Sequence, residues 1–386
     1  MAIVRARYNP FGGAERFVQR ALAALSEQAD RRLSLTVIAR RWQGRHGAGP
    51  STDALPEGVS LLRLDPFYLG SVWRDASFAR AVQQHLAGQQ YSLVQSHERI
   101  PGVMIYRAGD GVHAEFLAQR RRVMSPLARL RMWLNPYHTW MLRTERLMFE
   151  HPALRAVICN STMVRDEIAA RFAIDPARLK LIRNGVDLQR FAPPTPEQRQ
   201  AARIRWGLEA NEPVMAYVGS GFERKGLDAV LRALAERAVP ASMRLLVAGQ
   251  DKRMPRYRSL ARRLGIGARV IFLGGVDDVV PVLHAADGLV LPTLYDPFPN
   301  AVLEGLACGL PTITSTKCGA AEVIETGRNG FVVDALDIAG IARSMLMLVN
   351  PERRAPMREA ARASVMGLSS AALATELLAL YRDIAG

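Results

Sequence analysis

The chain is poor in cysteine, with only Cys159, Cys308 and Cys318 in 386 residues. These lack the paired spacing of a zinc site and cannot all pair with one another, which excludes a disulfide framework and fits buried thiols in a reducing compartment. No uncharged apolar run approaches the roughly 20 residues that a spanning helix needs. The opening Met-Ala-Ile-Val-Arg-Ala-Arg-Tyr turns polar at once, so it does not read as a secretory signal. These absences predict a cytoplasmic protein whose membrane contact is at most peripheral. Asp-x-Asp occurs nowhere, so no carboxylate pair is offered at that spacing to a divalent cation, and no bound metal is expected. Acidic residues are the last shortage: 36 Asp and Glu stand against 51 Lys and Arg, a formal net charge of +15. That excess points to anionic partners such as phosphate groups, nucleic acid or a lipid surface.

What is present is ordinary for a folded protein. Hydrophobic residues make up 49% and charged residues 23%, which argues against extended disorder, and the length suggests two domains. Short apolar runs alternate with helical patterns: Ile3-Val4, Leu33 to Ala39, Val59 to Leu64, Ser92 to Gln95, Val103 to Tyr106 and Ala156 to Cys159. A second series runs through Val214 to Val218, Arg244 to Ala248, Val270 to Leu273, Leu289 to Pro292 and Thr312 to Thr314. Such alternation predicts an α/β protein with parallel sheets and helices on both faces. Between the two series, Pro193, Pro194 and Pro196 can continue neither element and mark a linker. The expected organisation is a Rossmann-like domain over 1–190, a second over 191–369, and a terminal helix over 370–386 that packs back on the first. Two such doubly wound domains would face each other across a cleft at the carboxyl ends of their strands.

Three segments carry residues suited to chemistry. In the first, from Leu289 to Pro311, a buried strand feeds a turn-rich loop. Asn300 stands where a helix N-cap is expected, and the N–H groups from Ala301 to Leu303 would attract an anion such as a diphosphate. Asp296 lies in the loop, and Glu304, a helical turn further on, suits a pair of ribose hydroxyls. A plainer reading is also open: Glu304 complements the helix dipole and Asp296 starts a turn. The second segment, Gly219-Ser-Gly-Phe-Glu-Arg-Lys-Gly226, follows a strand; its glycines allow close approach to a ligand, and Arg224 with Lys225 would neutralise a leaving diphosphate. The third contains Gly12 and Gly13, between the first strand and first helix but without G-x-G-x-x-G. There a tight turn and a phosphate or acceptor passing the backbone explain the glycines equally well.

Taken together, the segments resemble the retaining GT-B glycosyltransferases of family 4, and among them the enzymes that glucosylate the heptose core of bacterial lipopolysaccharide. The resemblance runs through Gly12-Gly13, Glu98-Arg-Ile-Pro-Gly102, Arg107-Ala-Gly-Asp-Gly-Val-His113, Asn184-Gly-Val-Asp187, Arg224-Lys-Gly226 and the Asp296 to Glu304 segment. It implies a nucleotide-sugar donor, UDP-glucose, and a glycolipid acceptor, with no further cofactor. By the same resemblance Glu304 holds the ribose; Asp296 and the loop after it, with Phe298, Asn300, Ala301 and Val302, hold the transferred sugar; and Asp110 lies beside the reacting centre. Arg99 and His113 are placed toward the acceptor, although a histidine three residues from Asp110 also suits a structural role. The sequence departs from the family twice: Asp296 stands for the usual Glu and Pro299 for the usual Gly.

No paired carboxylates of the kind that retaining hydrolases use are evident. The resemblance likewise implies no established protein nucleophile, and with it same-face substitution assisted by the leaving diphosphate is expected. An epimerase on the same architecture, another donor such as GDP-mannose or ADP-heptose, and a non-catalytic sugar- or nucleic-acid-binding protein are the alternatives. No known nucleic-acid-binding signature is evident, so a nucleic-acid partner is not expected. Finally, seven arginines between Phe116 and Phe149 stand against the single acid Glu145. Val123, Leu127, Leu130 and Leu134 follow helical spacing, as do Tyr137, Trp140, Met141, Thr144, Leu147 and Met148 beyond Pro136. Such a basic amphipathic pair either packs its apolar faces on the first sheet or rests on the anionic inner face of the bacterial inner membrane.

Overall fold

A computed structural model of the protein describes residues 1–8, 34–42 and 59–385. The Gly12-Gly13 loop lies outside the described residues. The strands are β1 Ala2–Val4, β2 Arg7–Tyr8, β3 Leu35–Ala39, β4 Arg41–Trp42, β5 Val59–Arg63, β6 Val94–Ser96, β7 Ile105–Arg107, β8 Ala156–Cys159 and β9 Leu179–Leu181, then β10 Val214–Val218, β11 Arg244–Ala248, β12 Val270–Gly274, β13 Gly288–Leu291, β14 Thr312–Ser315 and β15 Gly330–Val333. Apart from the short β2–β4 pair they form two parallel sheets, ordered β5-β3-β1-β6-β7-β8-β9 and β12-β11-β10-β13-β14-β15. Central strands such as Ala156–Cys159 and Gly288–Leu291 are buried at every position. Helices cover both faces, which is why these strands read as unbroken apolar runs and not as alternation. The edge strands β9 and β15, short and partly exposed, did not stand out as such runs.

The chain divides into two compact units, Met1–Asn184 with Ala371–Gly386, and Gly185–Ser370. The boundary thus precedes the proline run expected to mark it. Phe191 is already buried in the second core, and Arg362 binds the carbonyls of Leu188 and Phe191. Pro193 and Pro194 therefore lie inside the second unit, and Thr195 caps helix Pro196–Arg205 with a reciprocal bond to Gln198. At the boundary, Val186 N donates to Leu368 O at 2.8 Å and Ser370 N to Val186 O at 3.1 Å. A Cβ on Gly185 would fall 2.7 Å from Ser369 O, so only glycine allows the two strands of chain to run this close.

Helix Ser370–Ala385 inserts Leu373, Leu377, Leu380 and Tyr381 among Ile3, Val37, Ile105 and Ile158 of the first sheet, and Tyr381 OH donates to Gln95 Oε1 at 2.6 Å. In the second unit, buried Asp287 accepts from Val214 N at 2.9 Å, Arg199 at 2.6 Å and Arg354 at 3.1 Å, tying the start of β10 to two helices. Both sheets reverse their strand order once, at β1/β6 and at β10/β13. Ligands of open parallel sheets bind beyond the carboxyl ends of strands at such a reversal. The segments after β10 and β13, far apart in sequence, are brought side by side there.

Because Leu377 is fully inside the first core, Leu377→Ala should cost about 2–5 kcal/mol through lost transfer energy and a residual cavity. Urea unfolding reads this as a lowered midpoint, and an unchanged midpoint would remove the terminal helix from that core.

Candidate active site

The loop after β10 is shaped by glycine. Gly221 and Gly226 take positive φ, and a Cβ on Gly226 would lie 2.0 Å from Pro292 O. No larger residue fits, so the loop after β10 lies flat against the one after β13. Leu294 N donates to Arg224 O at 2.8 Å and fastens the two. Phe222 is buried against Tyr217 and Tyr257, and its amide donates to Asp251 Oδ2 at 2.7 Å. The two residues that follow Glu223 are thereby aimed at the second loop.

There they meet Asp296. Lys225 Nζ lies 2.6 Å and Arg224 NH1 2.7 Å from the same oxygen, Asp296 Oδ2, and Arg224 also donates to Tyr295 O at 3.2 Å. The backbone of Asp296 is fixed in turn, its N–H on Lys317 O and its C=O on Gly319 N. Asp296 and Lys225 are buried, which rules out a solvated surface pair. Burial alone would raise the carboxyl pKa of Asp296, but Lys225 and Arg224 outweigh it and hold it below the usual range. Burial lowers the pKa of Lys225 more than Asp296 raises it. Two cations thus gather on one carboxylate, four residues before the start of a helix.

That helix is Asn300–Ala307, and here the structure corrects the sequence reading. Pro299 is the N-cap, extended at ψ 124° and without a side-chain cap bond, and Asn300 is the first helical residue. The first-turn amides therefore begin one position earlier than expected, and that of Val302 donates to Pro299 O at 3.1 Å. A proline needs no donor partner and closes the turn by its ring alone, so no polar cap is required. Glu304 lies four residues after Asn300 and on the same face; it is buried, as are Phe298 and Val302, and Ala301 is partly so. Arg224, Lys225 and Asp296 thus form one contact network, with Phe298, Asn300, Ala301, Val302 and Glu304 following it along the same segment.

Asp110, Arg99 and His113 belong to the first unit, after β6 and β7. Asp110 is exposed in the turn after β7, with an oxygen 4.0 Å from Arg99 NH1. Arg99 donates to Glu145 Oε1 at 2.9 Å and to Gly111 O at 2.9 Å. The His113 ring lies 3.0 Å from that of His138, and burial, then Arg99 and His138, push its pKa down to about 3, so it is neutral at physiological pH. Arg107 is buried and donates to Asn184 Oδ1 at 2.5 Å, joining two of the sequence segments. Glu145 and His138 were not singled out as site residues from sequence; the one available signal was that Glu145 is the sole acid in a basic stretch. Among the described residues no three His, Cys, Asp or Glu side chains converge as a metal site requires.

The Asp296 pairing sets a pH dependence. Its folded pKa lies below the ordinary 3.8, so the stability it contributes is fully present above that value and lost as pH falls through the depressed one. Lys225→Met should move the Asp296 carboxyl titration, followed by NMR, to higher pH. A titration identical to wild type would mean that Lys225 does not hold the carboxylate.

Models of two families match the chain: "Glycosyltransferase Family 4" over residues 11–190 and "Glycosyl transferases group 1" over 198–364. The lipopolysaccharide glucosyltransferase WaaG of Escherichia coli (strain K12) is 28% identical over 333 residues, 85% of this chain and 83% of that protein. The D-inositol 3-phosphate glycosyltransferase of Rhodococcus jostii (strain RHA1) is 32% identical over 58% of this chain and 52% of its own length. Among solved structures, that of WaaG superposes with a TM-score of 0.84 at 24% identity, over 98% of this chain and 99% of that one, so the fold is the same. With both units matched in chain order and the WaaG fold reproduced, the chain belongs to the family 4 glycosyltransferases of GT-B fold.

Proposed function

We propose that the protein is a retaining, metal-independent hexosyltransferase that moves glucose from UDP-glucose to the heptose of a lipopolysaccharide core. The observation that carries this reading is the contact of buried Asp296 with buried Lys225 and with Arg224 at the strand-order reversal of the second sheet. Both cations use Oδ2, which leaves Oδ1 for a hydroxyl of the transferred sugar, while Arg224 and Lys225 serve the diphosphate. Glu304 accepts from the ribose. In the reaction the acceptor hydroxyl oxygen bonds to C1 of the sugar as the C1–O bond to the diphosphate breaks on the same face. The acceptor proton passes to the departing diphosphate oxygen. Arg224, Lys225 and the first-turn amides stabilise the charge that develops there. Asp110 serves beside the reacting carbon. Kinship with WaaG, a lipopolysaccharide glucosyltransferase, supports glucose and a lipopolysaccharide acceptor.

A ligand that binds only the folded state must stabilise it. UDP-glucose is expected to raise the melting temperature more than GDP-mannose or ADP-heptose, and a larger shift with either of these would replace the donor. Glu304→Gln should weaken UDP in calorimetric titration by about 1.5–3 kcal/mol, the worth of a hydrogen bond to a charged acceptor; unchanged affinity would take Glu304 out of the site.

The same reading places the protein on an anionic membrane surface, where a glycolipid acceptor resides. No helix among the described residues is long and apolar enough to cross a membrane. Helix Pro136–Phe149 buries Met141, Thr144, Met148 and Phe149 in the first unit, but helix Pro126–Trp133 buries only Met132. Leu127 is 59%, Trp133 76% and Leu134 62% exposed, among Arg120, Arg121, Arg122, Arg129 and Arg131. Apolar and aromatic side chains set among arginines suit an interfacial helix. Sedimentation with anionic vesicles should show binding that weakens with salt and on changing Arg120, Arg121 and Arg122 to Gln. Equal binding to neutral and anionic vesicles, or to neither, would end this assignment.

A further inference from the structure

Glu145 is the only acid between Phe116 and Phe149, and it is buried. A charge with a merely solubilising role would stand in water beside the neighbouring arginines, Arg143 and Arg146. Instead its carboxylate is turned into the first unit, where an unpaired charge would be strongly unfavourable. Oε1 accepts from Arg99 Nε at 2.9 Å, and both oxygens lie 3.1 Å from the backbone nitrogen of His113. Arg99 donates through NH2 to Gly111 O and turns NH1 toward Asp110. One carboxylate therefore holds the guanidinium on one side and the start of helix His113–Arg121 on the other. The turn that carries Asp110 is thereby pinned on its C-terminal side, at Gly111 and His113. Two helical turns before Glu145 on the same helix, His138 holds the His113 ring.

We propose that Glu145 is a positioning residue for sugar transfer: through Arg99 and the His113 amide it fixes the Asp110 turn in the geometry from which that turn meets the reacting groups. The proposal rests on the reading that Asp110 and Arg99 face the reaction. The guanidinium fork makes the arrangement specific, because a lysine at 99 has a single terminal nitrogen and cannot reach Glu145 and Gly111 O from two fixed directions.

The test is a double-mutant cycle of Glu145→Gln and Arg99→Lys, run with the sugar nucleotide that the wild type turns over and an acceptor core ending in heptose. Misplacement of a reacting group by about 1 Å costs on the order of 100-fold. Each single variant is thus expected to lose about 10- to 100-fold in kcat/KM for the acceptor. UDP affinity by calorimetry and cooperative unfolding should stay as in the wild type, since the UDP-binding residues belong to the other unit. The double variant should be no slower than the slower single one, because both remove the same link. Wild-type kcat/KM in Glu145→Gln, additive losses, or UDP affinity falling in step with turnover would each overturn the proposal. Should Glu145→Gln not fold, Arg99→Lys decides alone: normal turnover refutes the brace, and lost turnover with intact UDP binding supports it. A wrong donor assignment shows separately, as a wild type inactive toward UDP-glucose but active with another sugar nucleotide.

Discussion

Asp296 carries the negative charge on which the arrangement of the second unit's candidate site depends. Taking a carboxylate and an ammonium out of water costs several kcal/mol for each ion, and their attraction repays this only with good geometry. Here the geometry is good: both cations reach one oxygen, and the Asp296 backbone is held on either side by Lys317 and Gly319. Well-packed apolar residues would serve stability as well or better. The network is therefore more readily explained by what it holds ready than by what it adds to the fold. Two loops that leave different strands are locked together, with two cations gathered on one carboxylate a few residues before a helix.

That lock needs the backbone beneath it. Gly226 lets the first loop lie on Pro292 without a side chain between them, and Asp251 fixes Phe222 so that Arg224 and Lys225 follow in a set direction. The strand order brings both loops to the sheet reversal, where the carboxyl ends of β10 and β13 are neighbours. Charge, loop conformation and topology thus converge on one place, each supplied by a different stretch of chain. The first unit repeats the strategy with other residues: Glu145 takes the place of Asp296 as the buried anion, and Arg99 that of the cations.

Much of this was legible in the residues themselves. Largely buried strands such as Ala156–Cys159, Val214–Val218 and Arg244–Ala248 announce themselves as apolar runs between polar turns. The order of glycine, basic and acidic segments was enough to suggest the architecture. Less visible were features that depend on neighbours remote in sequence. Val186 pairs with Leu368 and Ser370 across nearly the whole second unit, so nothing local could place the boundary at Asn184 and not at the prolines. Asn300 had the composition of an N-cap, but the preceding proline already supplies the extended turn, and the side chain is not needed for it. Glu145 could be counted as an isolated acid, yet its partners Arg99 and His113 come from other elements.

The basic segment shows why periodicity alone could not decide. Val123, Leu127, Leu130 and Leu134 have the spacing of a core-facing stripe, and so do Met141, Thr144 and Met148. The structure treats them in opposite ways. Pro136 separates the two helices, and the second packs against helices Gly70–Ala87 and His113–Arg121, burying Met141, Thr144 and Met148 but leaving Leu147 exposed. The first shares little of that support and leaves Leu127, Leu130 and Leu134 in solvent. Amphipathicity states only that a face should be covered, not by what. A covered stripe next to an uncovered one, with arginines beside the latter, turns that ambiguity into a physical distinction. The buried helix belongs to the fold and carries Glu145 to its partners, while the other presents Leu127, Leu130, Trp133 and Leu134 to solvent beside its arginines.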